Sequence, residues 1–99
     1  MPKTLSYKDE LMKVLKKRKE AAAYLNAALE DGDPEVFLLA LKDVADAQGG
    51  VRSLALKSRL NRENLYRMLS KKGNPELSSL HALLEAMGFG FEIKLKKAG

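Results

Sequence analysis

The 99-residue sequence contains no cysteine and a single histidine, His81. The missing cysteines exclude a disulfide framework, a thiolate zinc site and a cysteine nucleophile, and they fit a reducing cytoplasm. One histidine assembles neither a familiar zinc site nor a Ser–His–acid arrangement, so His81, beside Leu80 on a helix, is expected to be structural or solvent-facing. No apolar run approaches the roughly 18 residues of a membrane span, and Met1 to Ser6 carries no apolar signal region. There is no internal repeat and no low-complexity linker. These absences leave a cytoplasmic, non-enzymatic protein, with no cofactor and no metal, on a chain short enough for one domain.

What the sequence does carry is charge, unevenly placed. The net charge is +5, distributed as +4 over residues 1–20, −5 over residues 21–50 and +6 over residues 51–99. An acidic middle between basic ends suits a polyanion partner for at least one end; scattered surface lysine gives the same sum.

Helical periodicity dominates the pattern. Tyr7–Arg18 places Leu11, Val14, Leu15 and Arg18 at helical spacing, and Glu20–Leu29 repeats Ala21, Tyr24, Leu25, Ala28 and Leu29 on one face. Gly32 suits a left-handed cap, and Asp33 with Pro34 suits a helix start. The same capping chemistry explains Asp31, Asp33 and Glu35 better than metal binding does. Glu35 to Gln48 forms the next helix, broken by Gly49-Gly50. Val51–Lys57 follows as a short helix, with Ser58-Arg59-Leu60 as a tight turn and Asn61 capping Arg62–Ser70. Leu77 to Met87 forms a last helix, with Leu77, Leu80, Leu84 and Met87 on one side, and Gly88 stops it. Phe89 to Leu95 alternates apolar with small or charged residues and predicts one strand. The expected fold is mainly α, with five to six helices and one C-terminal β-strand. The segments are an N-terminal helical part (1–33), a helix-turn-helix domain with its strand (34–95) and a tail (96–99).

The chemistry concentrates in the window Arg52–Lys72, where seven basic residues face one acid, Glu63. With Leu65 turned inward, Leu69 falls beside it with Asn61 and Met68 close by, Glu63, Tyr66, Arg67 and Ser70 fall on the opposite face, and Arg62 sits at the flank. That is the division a DNA-reading helix needs: an apolar inner face and a polar, cationic outer one. The arginine fork matches guanine O6 and N7 together. Glu63 suits a cytosine amino group or holds Arg59, Arg62 or Arg67. Asn61 and Asn64 suit adenine or phosphate, and Lys71, Lys72 and the Gly73 backbone suit phosphates beyond the helix. Tyr66 suits a stack, a phosphate or plain exposure. A lone strand leaves its backbone groups unpaired. Phe89, Phe91, Ile93 and Leu95 are therefore expected to pair across a two-fold axis with a second copy, setting two reading helices about 34 Å apart, one turn of DNA; a hairpin-like fold-back within the monomer is the alternative, for which no partner strand is visible.

The stretch from Asn61 to Pro75 (NRENLYRMLSKKGNP), together with Ala22 to Asp33, Phe37 to Val44 and Leu80 to Phe91, resembles the probable addiction module antidote family, antitoxins with a lambda-repressor-like (Xre/Cro type) helix-turn-helix. The resemblance spans residues 7–95 in order and spacing. It implies an autorepressing dimer on operator DNA that neutralises a small RelE/ParE-type toxin. Asn61, Arg62, Glu63, Asn64 and Arg67 then match the family's DNA-reading helix. Val51 stands where many such domains place a phosphate-binding Gln, so Arg52 or Ser53 is expected to take over that contact. Ser58 stands where Gly is frequent, so the turn is expected to be either strained by a positive φ there or differently shaped, and Leu56 stands where a charge is usual. The acidic segment Glu30–Asp46 and the Leu11–Leu29 helices are the two expected toxin surfaces. A transcription regulator without a toxin, or a pure protein-interaction module, are the alternative functions.

Overall fold

The computed structural model describes residues 6–70 and 73–97. Six helices run through them: α1 (Tyr7–Leu15), α2 (Arg18–Asp31), α3 (Pro34–Ala47), α4 (Gly50–Ser58), α5 (Arg62–Met68) and α6 (Leu77–Ala86). Each boundary has local causes. Ser6 Oγ accepts from the Asp9 N–H at the start of α1, and Asp33 caps α3 by accepting from the Glu35 N–H at 2.9 Å, with Pro34 following it in the first turn. Gly32, at φ 88°, closes α2 in the left-handed region.

The centre of the core is α3. Leu41, Val44 and Ala45 are fully buried there, in one core cluster with Leu15 of α1, Ala21 of α2, Leu54 of α4 and Leu65 of α5. Helices α1 and α2 pack on α3 and on each other; α4 packs on α3, α5 and α6. Gln48, just past α3, donates from Nε2 to the carbonyls of Leu15 (2.7 Å) and Lys16, which ties the end of α1 to the end of α3. Tyr24 of α2 donates to Asp43 of α3 at 2.9 Å.

Three expectations are corrected. No strand is present among the described residues: residues 89–97 carry no regular secondary structure. A strand exists only through a ladder with a neighbouring strand, and no second described segment supplies one, so the alternation from Phe89 to Leu95 belongs to an unpaired arm. Arg18 begins α2 rather than ending α1, because Lys16 and Lys17 form the break. Leu77, grouped with Leu80, Leu84 and Met87 on the apolar side, is 71% exposed at the first position of α6.

Helix α6 ends with a left-handed Gly88 (φ 90°), whose N–H donates to Glu85 O at 3.0 Å while Phe89 N–H donates to Leu84 O at 2.8 Å. This reversed turn satisfies two terminal carbonyls and folds Phe89 back onto the core. A Cβ at position 88 would also stand 3.1 Å from the Arg18 guanidinium.

Candidate nucleic-acid interface

Helices α4 and α5 are joined by Arg59, Leu60 and Asn61. Ser58 lies inside α4: its Oγ donates to the Leu54 carbonyl at 2.6 Å and accepts from the Leu60 N–H at 3.3 Å. Of the two expectations at Ser58, the differently shaped turn holds: Ser58 stays helical and the positive φ falls on Arg59, at φ 63° and ψ 23°. Arg59 is the one non-glycine residue with positive φ among those described. An L-residue in that region is strained by Cβ crowding.

Helix α5 shows the division its sequence implied. Leu65, Met68 and Leu69 are buried at 0%, 7% and 3% exposure, while Arg62, Glu63, Asn64, Tyr66 and Arg67 are exposed. Asn61 caps the helix, its Oδ1 accepting from the N–H groups of Glu63 (2.7 Å) and Asn64 (3.2 Å). The start of α5 is thus closed by its own cap, and Asn61 retains its amide NH2 as the outward donor. The start of α4 has no side-chain cap, and there Arg52 is exposed and Ser53 half-buried. Val51 is buried in the core, so it offers nothing outward, and Arg52 is the exposed residue beside it.

Among the described residues, no ion pair engages Arg52, Arg59, Arg62 or Arg67, and Glu63 pairs with none of its three neighbouring arginines. Four guanidinium groups on α4, the turn and α5 are therefore exposed without an anionic partner among the described residues. Asn64 and Arg67 also line an open cleft of about 320 Å³, completed by Leu60, Asn74, Glu76 and Ser79 at the start of α6. Lys71 and Lys72, expected as phosphate contacts, lie outside the described residues. Leu56 is 79% exposed on α4.

The acidic middle divides in two. Asp43 and Asp46 are held by Lys8, with Lys42 also on Asp46. The Asp43 carboxylate also accepts from Tyr24, and burial, followed by that hydrogen bond, pushes the Tyr24 hydroxyl from 10.0 up to about 12. The other part, residues 30–35, remains exposed. Of the residues expected to dimerise, Phe89 is half-buried against its own core and Phe91 stacks on His81 with ring centroids 5.8 Å apart, whereas Ile93 and Leu95 are 94% and 97% exposed. Sequence reasoning missed Gln48 and the Tyr24–Asp43 pair. In each case the polar partners are far apart in sequence, Gln48 with residues 15 and 16 and Tyr24 with Asp43.

The pattern of the probable addiction module antidote protein family matches residues 6–95. The chain belongs to that family. A curated relative, an uncharacterised protein of Haemophilus influenzae, is 31% identical to this antidote-family chain over 80 residues, covering 81% of each. No solved structure matches it. No described helix of this family member is long and apolar enough to cross a membrane, and no group of metal-ligating side chains is present among the described residues.

Proposed function

We propose that the chain is a DNA-binding antitoxin. In this reading two copies bind operator DNA, each laying α5 in the major groove with α4 against the backbone, and the protein neutralises a small RelE/ParE-type toxin. The observation that carries the DNA reading is the outward face of α4, turn and α5. Arg52, Arg59, Arg62 and Arg67 are exposed and form no ion pair among the described residues, and α5, which carries Arg62 and Arg67, is anchored through buried Leu65, Met68 and Leu69. Unpaired guanidinium groups on a well-anchored helix suit bidentate contact with guanine and with phosphate. Arg62 and Arg67, with Asn64, are the base-reading residues in this arrangement. Arg52, Ser53 and Arg59 contact phosphate at the two ends of α4, and Asn61 orients the reading helix through its cap. Glu63 and Tyr66 border the reading edge.

Family membership supports an antitoxin role in a toxin–antitoxin module. The packing leaves room for a toxin beside DNA: α1 and α2 pack on each other and on α3 and make no helix packing with α4 or α5. Tyr7 and Val14 on α1 are 79% and 44% exposed, so the outer side of these two helices is the proposed toxin surface.

The test has two arms. Fluorescence anisotropy compares a duplex from upstream of the gene with a random duplex, for the native chain and for Arg67→Ala. The expected result is selectivity for the upstream duplex, with a loss of about 1–3 kcal/mol in the variant. Equal binding of both duplexes rejects the groove-reading helix. In the second arm the adjacent gene product is expressed alone and with the chain. Growth arrest relieved by co-expression supports the antitoxin; arrest that persists leaves a regulator without a toxin.

A further inference from the structure

The exposed arm after α6 lies beside an open groove of complementary character. Ala28, Leu29, Phe37, Leu38, Pro75 and Leu80 line this groove, which has a volume of about 330 Å³. Gly32, Asp33 and Pro34 also line it, within the exposed segment 30–35, Glu-Asp-Gly-Asp-Pro-Glu, which holds four carboxylates in six residues. The arm, residues 91–97, reads Phe-Glu-Ile-Lys-Leu-Lys-Lys, with three lysines interleaved with apolar side chains. The arm already borders the groove of its own chain. Phe91 stacks on His81, the neighbour of Leu80, and Lys94 Nζ lies 3.4 Å from Glu30 Oε2, next to Leu29. Yet the groove stays open, and Ile93 and Leu95 point to solvent almost completely.

We propose that the groove receives Ile93 and Leu95 from the arm of a second copy, with Lys94, Lys96 and Lys97 against its acidic rim. The proposal rests on the dimer in the reading above and says where that dimer closes. Charge complementarity selects the occupant: a basic, apolar arm matches an acidic, apolar groove, and the same chain supplies both. Their adjacency matters as much. A two-fold interface needs one patch that complements itself, residue against residue across the axis. A groove with its matching arm alongside meets that condition, because each arm faces the other copy's groove when the axis runs between them. Two such contacts bury four aliphatic side chains that are now in water, on a surface opposite in charge to the proposed DNA face.

Sedimentation equilibrium of the full chain tests this with two variants at exposed positions. In the arm variant, Ile93→Glu with Leu95→Glu puts carboxylates against the acidic rim. In the groove variant, Leu29→Lys places a cation where the arm lysines dock; Leu29 is 57% exposed, so the fold tolerates it. The native chain is expected to be a dimer. Each variant alone is expected to dissociate at least about a hundredfold more readily, tenfold per lost contact, with unchanged circular dichroism. An equimolar mixture of the two is expected to recover a heterodimer, because one native arm then meets one native groove. A native chain that sediments as a monomer at every concentration overturns the proposal, as do variants that dimerise like the native chain or a mixture that stays monomeric. A monomer that still selects the upstream duplex removes the arm contact and leaves the DNA reading in place. An arm-dependent dimer without DNA selectivity does the reverse.

Discussion

Replacing Arg59 by glycine should make the protein more stable and a weaker DNA binder at once. Arg59 holds φ 63° at the end of α4. An L-residue in that conformation costs about 1–2 kcal/mol through Cβ crowding. Glycine relieves this but gains freedom in the unfolded chain, which takes back about 0.4–1 kcal/mol. The difference favours the glycine variant by about 0.5–1 kcal/mol. For a chain of this length that raises Tm by about 2–8 °C, read from thermal unfolding by circular dichroism. The guanidinium is lost in the same substitution. If it neutralises one phosphate per copy, the slope of log K against log salt becomes shallower by about 0.9 per copy, or about 1.8 for a dimer. A backbone strain kept for the sake of a side chain is what a functional position shows. A Tm that stays level or falls would refute the strain argument, and an unchanged salt slope would refute the phosphate contact.

Three further outcomes follow from the packing. Asn61→Ala removes the acceptor for the Glu63 and Asn64 N–H groups and should cost about 1 kcal/mol by urea denaturation; Asn61→Asp should keep the cap and the stability while weakening DNA binding, because it adds a negative charge beside the phosphates. The Tyr24 hydroxyl, raised to about 12 in the folded chain from 10.0, contributes stability that is complete below about pH 10 and is lost as pH rises through about 12. Urea midpoints measured across that window should fall for the native chain and fall less for Tyr24→Phe. Leu41→Ala, at a fully buried position in the middle of α3, should destabilise by about 2–5 kcal/mol, and a smaller loss would show that the core closes around the cavity.

The helices were legible because burial and periodicity share a cause: each helix turns one face to a neighbouring helix, α1, α2 and α4 to α3 and α5 and α6 to α4, and Leu41, Leu54 and Leu65 announce those faces in the sequence. Periodicity names a face without saying how far the neighbouring helix extends. Leu29 and Leu77 therefore continue an apolar stripe and yet stand in solvent, at 57% and 71% exposure, Leu29 at the edge of an open groove and Leu77 at the first position of α6. Caps at Asp33 and Asn61 were readable because their chemistry is local. The left-handed Arg59 was not, since nothing in an arginine signals positive φ, and Ser58 drew attention by standing where glycine is frequent. The arm from Phe89 to Leu95 misled for a related reason: alternation records which side chains face apart, whereas a strand also needs a partner backbone, and that is a property of the assembly of segments. The groove that faces the arm joins residues 28–38 to residues 73–80, a distance along the chain that no local pattern spans.

The most direct test is to map where DNA touches the molecule. Backbone amide shifts of the 15N-labelled full chain, followed while the upstream duplex is titrated in, should move at residues 50–53 and 59–67. They should stay in place along α1 and through the exposed acidic segment 30–35, while a random duplex should produce smaller and more salt-sensitive shifts over the same face. Shifts centred on α1, α2 or the acidic segment, or none at all with the upstream duplex, would contradict the assignment of α5 as the helix that reads DNA.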